Sequence, residues 1–411
     1  MTISADKRDP RLKGPLEGVR VIELGQLLAG PFTGSRLADF GAEVIKVEAP
    51  VTGDPMREWG HHRWEGKALW WPVLARNKKS VTANLREVRG QDLVRQLVKD
   101  ADVLIENFKP GTLEKWGLSP DELHAINPGL VIARVSGYGQ SGPYSDRPGF
   151  ASVGEAMGGL RYINGYPDQP PPRTGVSLGD TLTGMFAAQG VLMALYWRDG
   201  VGNGKGQVVD ASIMESCFTM MESSLPEYDK LGLIRQPSGT GLANVSPSNI
   251  FPTKDDKWVV IAANIDPMFR RLAAAMDQPE LAEDERYSGH AVRGNNATEL
   301  DALIAEWTKT MTAAELTKRL DDHGVVVGPI YTIADIAADP HYQARGMVRR
   351  VKDETFGDLA VPGFAPNFSE STPDVAWLGP QEVGAHNSEI YGDMLGISED
   401  QLAELKNDGI I

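Results

Sequence analysis

One carboxylate in this sequence stands where it could act as a nucleophile. Asp180 lies in GVSLGDTLTGMFAAQG (175–190), directly after Gly179 and at the head of an apolar, helix-like pattern. The partial positive charge of a helix N-terminus stabilises a nearby carboxylate by roughly 0.3–1 kcal/mol, which favours the ionised form at neutral pH. The adjacent glycine would let a bulky ligand approach the backbone. Aspartate is also a common helix cap, so the local sequence leaves a nucleophile and a cap both open.

The other reactive side chains indicate structure rather than chemistry. Cys217 is the single cysteine, which excludes an internal disulfide and a multi-cysteine metal site. Its apolar surroundings, SIMESCFTMM, are typical of a buried structural thiol. His61 and His62 are adjacent, so they cannot face one metal ion from the same side of a helix. We therefore expect two loop histidines and no metal site.

The composition restricts the classes of partner. The chain has 411 residues, of which 41% are hydrophobic and 24% charged, as in an ordinary globular protein. Its formal net charge of -15 argues against nucleic acid and against an anionic membrane surface as partners. The N-terminal stretch MTISADKRDPRLKGPLEG lacks the apolar core of a signal peptide, and we expect no apolar run of about 20 residues. These features predict a cytoplasmic protein.

Strand and helix patterns alternate along the first half of the chain. The short β-rich runs are at 18–25, 42–48, 79–85, 101–108 and 129–139. Because helical patterns separate them, they predict an α/β fold with a mainly parallel, Rossmann-like sheet. The turn LGQLLAGP after the first run contains neither GxGxxG nor GxxxxGK[ST], which argues against a standard NAD or ATP site. The glycines around Lys205 favour a hairpin turn over a phosphate cradle, because no helix N-terminus follows them.

Changes in composition divide the chain into regions. We predict that residues 1–225 form the first part of a large Rossmann-like domain, and that 226–249, rich in Gly, Ser, Pro and Asn, form a linker. Strand and helix patterns in 250–330 predict a small α+β domain. The remaining segment, 331–411, is expected to return to the large domain.

Eight stretches, taken together, carry a family resemblance. They are VIELGQLLAGPFTGSRLADFGAEVIKVE, GDPMREWG, RNKKSVTANL, ADVLIENFKPGTLEKWGL, NPGLVIARVSGYGQSGPYSDRPGF, GVSLGDTLTGMFAAQG, GKGQVVDASIMES and GVVVGPI. Over nearly the whole chain, and in the family's order, they resemble the class III CoA-transferases. The resemblance implies a Rossmann-like large domain and an interlocked homodimer.

The resemblance also implies a reaction and a nucleophile. The family's catalytic aspartate stands in a G-D-x-x-x-G setting, which here is Gly179, Asp180 and Gly184. The implied enzyme moves CoA from an acyl-CoA, with succinyl-CoA or another dicarboxylyl-CoA as candidates, to a free carboxylic acid. The expected intermediates are an aspartyl anhydride and an aspartyl-CoA thioester. Coenzyme A is then substrate and product, and no tightly bound cofactor is expected.

Similarity to the family assigns the CoA-binding positions. They are Leu28, Ala29, Arg86, Asn107, Phe108 and Lys115. Two positions depart from the family pattern, since Ala49 replaces a basic residue and Lys115 stands where the formyl-CoA transferases have arginine. The basic residues Arg76, Lys78 and Lys79 could add charge to the site, although a solvated basic turn explains them as well.

The residues expected near the acyl group leave alternatives open. Trp59 aligns with a tryptophan that gates the acyl pocket, and it could equally be a packing residue. Arg57 or Arg173 could hold a second carboxylate, which suggests a dicarboxylic substrate. Gly239 and Gly241, in PSGTGLAN, could donate hydrogen bonds to an oxyanion or belong to a flexible linker.

Two other functions fit the same fold. Acyl-CoA racemases pair the equivalent aspartate with a histidine in a G-H-D-type stretch. The corresponding residues here are Gly149 and Phe150, and a two-base racemase without its second base would be hard to run. A non-catalytic CoA-binding protein is the second alternative, against which the intact Gly179–Asp180 pair argues.

Overall fold

The computed structural model describes residues 9–242 and 245–411. The chain forms two compact units. The first comprises Met1–Leu160, Thr174–Glu222 and Ala344–Ile411, and the second comprises Arg161–Arg173 and Ser223–Gln343. The second unit therefore includes residues 161–173, which the sequence predicts as part of the large domain, and residues 331–343, which it predicts as part of the C-terminal segment. The predicted linker, 226–249, and the stretch PSGTGLAN include residues 243–244, which lie outside the described residues.

A six-stranded parallel sheet forms the centre of the first unit. Its strands are β1 (Arg20–Glu23), β2 (Glu43–Glu48), β5 (Lys78–Thr82), β6 (Val103–Glu106), β7 (Val131–Ser136) and β8 (Val208–Ser212). Their spatial order is β5-β2-β1-β6-β7-β8, and every pair is parallel. The Rossmann-like sheet is thus confirmed. The order reverses between β1 and β6, and open α/β sheets bind ligands at such a switch point.

The remaining strands form three small antiparallel sheets. In the first unit they are β3 (Arg63–Trp64) with β4 (Lys67–Ala68), and β12 (Val348–Asp353) with β13 (Gly357–Pro362). In the second unit they are β9 (Ser248–Pro252), β10 (Trp258–Ala262) and β11 (Val326–Pro329), in the order β11-β10-β9. The sequence did not predict β12 and β13.

Seventeen α-helices connect and cover these strands in the described part of the chain. They are α1 (Ala29–Asp39), α2 (Trp71–Leu74), α3 (Val88–Leu97), α4 (Thr112–Lys115), α5 (Pro120–Ile126), α6 (Ala151–Met157), α7 (Leu160–Ile163), α8 (Leu178–Gly200), α9 (Ile213–Thr219), α10 (Ser224–Leu231), α11 (Asp266–Ala275), α12 (His290–Asn295), α13 (Ala297–Thr308), α14 (Ala313–Asp322), α15 (Ile333–Ala338), α16 (Pro340–Ala344) and α17 (Glu399–Asn407). Short 3₁₀ turns occupy Pro55–Glu58, Val98–Asp100 and Pro279–Ala282, and a π-helix occupies Ser388–Met394. Thr312 separates α13 from α14, because its side chain caps the N-terminus of α14.

Helix α8 is the longest helix, and it packs against α1, β7, β8 and α9. Gly184 permits the contact with α1, since a Cβ there would lie 2.8 Å from the Phe32 ring. By length and composition α8 could cross a membrane, so the expectation that no stretch would reach that length is wrong. Its apolar residues serve packing in part, because 44% of its most apolar segment is buried.

The turn that follows α8 corrects a second expectation. It leads from α8 into β8, which pairs parallel with β7. The glycines around Lys205 therefore form a helix-to-strand turn rather than a hairpin. Asn203 and Gly204 adopt positive φ there, at 52° and 81°.

The basic residues Arg76, Lys78 and Lys79, just before and at the start of β5, are buried, so the interpretation as a solvated turn is wrong. Arg76 donates to Asp39 at 2.6 and 2.9 Å, and Lys78 donates to Glu23 at 2.7 Å. Lys79 donates to Glu43 at 3.0 Å. Burial lowers the pKa of Lys78 to about 8. These cations neutralise carboxylates inside the fold and are structural.

The C-terminal segment covers the β5 edge of the sheet. Asn387 Oδ1 accepts the N–H of Thr82 at 2.9 Å, and His386 Nδ1 accepts the N–H of Ser80 at 3.1 Å. Burial lowers the pKa of His386, which keeps the ring neutral and able to accept. The segment thereby pairs edge groups that would otherwise attract another strand.

Candidate active site

At the switch point of the sheet, hydrogen bonds from two side chains hold the loop that follows β1. Asn107, after β6, accepts the N–H of Gln26 at 2.8 Å and donates to its carbonyl at 2.9 Å. Leu27 has φ 61°, a conformation that costs energy for a residue other than glycine, and its N–H donates to Asp54 at 3.0 Å. Asn107 thus fixes the loop after β1 against the end of β6, and Asp54 fixes it against the segment that follows β2.

A cleft of about 330 Å³ lies beside this loop, and Gln26, Leu27 and Asn107 are among its lining residues. It is lined by five residues predicted for the site, namely Leu28, Ala29, Asn107, Phe108 and Asp180. Trp59, Gly149 and Phe150 line it as well. No histidine is among the described residues that line it. The histidine that a racemase would use as its second base therefore has no counterpart among them.

A second cleft, of about 690 Å³, adjoins the first. Arg86 and Ala49 line it, together with Trp116. Gln26 and Phe108 line both clefts, so the two clefts are neighbours at these residues, and the pair is called the groove below. The structure does not place Lys115 among the lining residues, although it lies exposed on α4, beside Trp116.

Asp180 occupies the head of α8 without being its N-cap residue. The N-cap is Ser177, and Asp180 is the third residue of the helix and half-buried. The N–H of Gly179 donates to the buried carboxylate of Glu155 in α6, at 2.9 Å. Glu155 thus satisfies one of the backbone N–H groups at the start of α8. The sequence reasoning missed Glu155, because nothing near it in the chain shows that it faces another helix.

Gly179 has a packing role that differs from the predicted one. It is buried, and a Cβ there would lie 3.1 Å from both the Glu155 side chain and the Ile213 side chain. The absence of a side chain thus lets α8 approach α6 and the start of α9. The idea that Gly179 admits a bulky ligand to the backbone is not what the contacts show.

Cys217 is buried close to two carboxylates. Burial is the main reason that its pKa rises to about 11, and Glu155 and Asp180 add to the effect. A thiol with so high a pKa is not a nucleophile at neutral pH. The prediction of a buried structural thiol is confirmed.

Arg57 is used by the protein itself. Its guanidinium donates to both oxygens of Glu48, each at 2.7 Å. It also donates to the Ser80 hydroxyl and to the carbonyls of Pro380 and Gln381. These bonds occupy all five donors of the side chain, so Arg57 is not available for a substrate carboxylate.

The bonds of Arg57 hold the turn Pro55–Glu58, and Trp59 follows that turn at the rim of the first cleft. Trp59 is 44% exposed, and its ring centroid lies 6.2 Å from that of Trp70. His61 and His62 are not among the lining residues, and their rings contact each other. In the part of the chain that the structure describes, no group of three His, Cys, Asp or Glu residues could hold a metal ion.

A chain of ion pairs, buried at Glu106 and Arg134, holds the backbone of Phe108, which lines both clefts. Glu106 accepts the N–H of Phe108 at 2.7 Å and also accepts from Arg134 at 2.8 Å. Arg134 in turn donates to Glu114 of α4 at 2.8 Å. Burial raises the pKa of Glu106 to about 6 despite the arginine. Alternation along β6 and β7 does not reveal this chain, because both strands are buried on both faces.

The two remaining predicted groups belong to the second unit. Arg173 lies in its first segment, Arg161–Arg173. Gly239 and Gly241 lie in its longer segment, where the N–H of Gly239 donates to the carbonyl of Gly165 at 2.8 Å. The backbone of Gly239 is thus used within that unit.

The chain is similar in sequence and in overall structure to known proteins. Residues 16–387 match the family described as CoA-transferase family III. The chain is 54% identical over 407 residues to the succinyl-CoA--D-citramalate CoA-transferase of Chloroflexus aurantiacus, covering 99% of this chain and 100% of that one. It is 42% identical over 399 residues to the alpha subunit of succinyl-CoA--L-malate CoA-transferase from Chloroflexus aurantiacus, covering 97% and 92%. A CAIB/BAIF family protein from Brucella suis has a similar structure, with a TM-score of 0.81 at 35% identity, over 93% of this chain and 100% of that one.

Proposed function

The chain belongs to CoA-transferase family III and is a CoA-transferase, and from this premise we propose that it moves CoA from succinyl-CoA to a second small dicarboxylic acid, with Asp180 as the nucleophile. The names of the two relatives described above pair succinyl-CoA with D-citramalate and with L-malate. Both acceptors are four-carbon-chain dicarboxylates. A citramalate-like acid is therefore our first candidate acceptor.

The observation that carries the proposal is the position of Asp180. It is the one carboxylate among the described residues lining the first cleft, and it stands at the head of α8. The helix dipole favours its ionised form, which a nucleophile must have. We propose that the rest of an acyl-CoA runs along the groove from Asp180, past Phe108, to Arg86.

Asp180 divides a slow exchange into four steps. Its carboxylate attacks the thioester carbonyl of succinyl-CoA, and the CoA thiolate leaves an aspartyl–succinyl anhydride. The thiolate then attacks the Asp180 carbonyl, which releases succinate and leaves an aspartyl-CoA thioester. The acceptor carboxylate attacks this thioester and forms a second anhydride, again releasing the thiolate. Finally, the thiolate attacks the acceptor acyl carbon and restores the free carboxylate of Asp180.

The groove residues divide into two roles. Arg86 supplies positive charge for the phosphates of CoA, and Lys115, exposed on the neighbouring helix α4, adds to it. Leu28, Ala29 and Phe108 form the apolar wall along the pantetheine chain. Asn107 uses its amide to hold Gln26, so we propose that it shapes the groove by fixing the loop after β1.

The test of the nucleophile is chemical trapping. With acyl-CoA present, hydroxylamine or borohydride should inactivate the enzyme, and peptide mass spectrometry should place the modification on Asp180. Asp180→Asn should still bind CoA and lose transfer by roughly 1,000-fold or more. Wild-type enzyme treated without acyl-CoA is the control. Transfer by Asp180→Asn at close to the wild-type rate would overturn the assignment.

We further propose that the enzyme is a homodimer with interlocked chains. Support comes from α8, where Met185, Leu192, Met193, Tyr196 and Trp197 are exposed apolar side chains. Such a face is typical of a surface that another chain covers. Tagged and untagged protein, mixed after folding, should form no mixed dimer until both are unfolded together. Rapid exchange of subunits would contradict the interlocked arrangement.

We also propose a cytoplasmic location. The single cysteine is buried and reduced, and disulfides are rare in that compartment. Fractionation of the native source should recover the transferase activity with the cytoplasmic markers. Activity in an extracellular or membrane fraction would contradict this.

A further inference from the structure

Two cations line the first cleft beside Asp180. They are Lys109 and Arg147, and neither forms an ion pair with a carboxylate among the described residues. Both side chains are exposed to solvent. Most other arginines that line or support the groove have partners, as Arg57 and Arg134 do. A cleft that contains the proposed nucleophile and two cations without a carboxylate partner is suited to a negatively charged ligand.

The Arg147 side chain is oriented by an aromatic ring. Its guanidinium carbon lies 3.9 Å from the centroid of the Tyr144 ring, and its backbone N–H donates to the Tyr144 carbonyl at 2.9 Å. An arginine that packs its guanidinium over an aromatic ring can still donate hydrogen bonds through the N–H groups along its edge. That edge matches the two oxygens of a carboxylate, with which arginine forms paired hydrogen bonds.

The loop that carries Arg147 is fixed close to the head of α8. Gly149 packs on Gly137, since a Cβ at Gly149 would lie 2.8 Å from the Gly137 Cα. The chain then enters α6, whose Glu155 accepts the N–H of Gly179. Lys109 follows Phe108, which lines both clefts, whereas neither chain neighbour of Arg147 lines the second cleft. We therefore take Arg147 as the candidate cation for the acyl side of Asp180.

We propose that Arg147 binds the second carboxylate of the dicarboxylic acyl group and so selects dicarboxylic over monocarboxylic substrates. This inference rests on the proposed function, since it names the residue that would recognise the far end of the succinyl and acceptor groups. It replaces the earlier candidate Arg57, whose donors are all used within the protein.

The test compares two exchange reactions that differ in one functional group. Exchange of labelled succinate into succinyl-CoA requires recognition of the second carboxylate of the acyl group. In the exchange of labelled butyrate into butyryl-CoA, a methyl group takes the place of that carboxylate. Arg147→Gln should raise the KM of succinyl-CoA by about 10- to 100-fold, the usual effect of a lost charged hydrogen bond. The butyrate reaction should keep its kcat/KM, and Arg147→Lys should restore part of the succinate reaction.

Two variants serve as controls. Arg345→Gln removes an exposed arginine of the same unit that does not line the cleft, and it should behave as wild type. Lys109→Gln should weaken both exchange reactions alike, as expected for a cation on the nucleotide side. An unchanged KM for succinyl-CoA in Arg147→Gln would overturn the proposal, as would a succinate-specific loss in Lys109→Gln instead. Wild-type enzyme that binds CoA yet exchanges neither acid would refute the proposed function itself.

Discussion

The carboxylate of Glu155 accepts the backbone N–H of Gly179 at 2.9 Å, directly before Asp180. This bond joins α6 to the head of α8 and satisfies one of the N–H groups that a helix leaves unpaired at its start. It also leaves Asp180 out of that capping interaction. Glu155 is buried, whereas Asp180 reaches the cleft. Glu155 thus holds the helix, and Asp180 remains at the cleft, where we propose that it acts as the nucleophile.

Removal of the Glu155 acceptor should cost both stability and turnover. Glu155→Ala leaves the N–H of Gly179 buried without that partner, which should lower the free energy of unfolding by about 1–3 kcal/mol. Because Asp180 then loses its fixed position, kcat should fall by more than the KM for acyl-CoA rises. Glu155→Gln keeps an acceptor oxygen and is the matched control. Thermal unfolding and initial rates would measure both effects, and a Glu155→Ala enzyme with normal kcat would show that the bond does not position Asp180.

The two cations assigned to CoA should act on binding rather than on chemistry. Arg86→Ala and Lys115→Ala are each expected to raise the KM for acyl-CoA by up to about 10-fold with little change in kcat, since exposed charge pairs contribute modestly. Added salt should reduce the difference from wild type. Assays with a 3′-dephospho-CoA thioester would show which residue faces the 3′-phosphate. A large fall in kcat with unchanged KM would place the residue elsewhere.

The sheet could be predicted from the sequence because its strands are short apolar runs separated by helices. The runs at 42–48 and 101–108 contain β2 (Glu43–Glu48) and β6 (Val103–Glu106). The hairpin of β12 and β13 was missed, since its strands alternate between charged and apolar residues and lie in a segment rich in loops. Local patterns also cannot show which distant residues pair across the fold.

The sequence predicted part of the candidate site, because some of its residues stand in recognisable motifs. Leu28, Phe108 and Asp180 belong to recognisable motifs, and the structure gathers them around one cleft. Glu155 contacts the head of another helix, and Arg147 lines the cleft from a loop that is distant from Asp180 in the chain, and the chain order reveals neither. The sequence did not predict the burial of Lys78, because charged residues are usually solvated. Here Glu23 neutralises Lys78 inside the core.

Gly34 should be intolerant of any side chain. On α1 it faces Glu23, and a Cβ would lie 1.8 Å from a carboxylate oxygen that Lys78 also contacts. Gly34→Ala must therefore disturb a buried ion pair, and we expect a loss of about 3 kcal/mol or more in the free energy of unfolding. Gly200→Ala is the matched control, because no atom lies within 4 Å of its Cβ position at the end of α8. It should be neutral or slightly stabilising, and equal effects of the two substitutions in denaturant titrations would contradict the packing argument.

The buried Glu106 should make stability depend on pH in a direction opposite to that of an ordinary ion-paired carboxylate. Burial raises its pKa from 4.5 to about 6, so between these values the folded protein binds more protons at this site than the unfolded chain does. The contribution of Glu106 to the free energy of unfolding must then fall as pH rises through this window, by roughly 2 kcal/mol in total. Glu106→Gln removes the titration and keeps an acceptor for the N–H of Phe108. The stability of wild type minus that of Glu106→Gln, measured by urea titration, should therefore be larger at pH 4.5 than at pH 7. A difference that is constant, or that grows with pH, would show that Arg134 outweighs burial at this site.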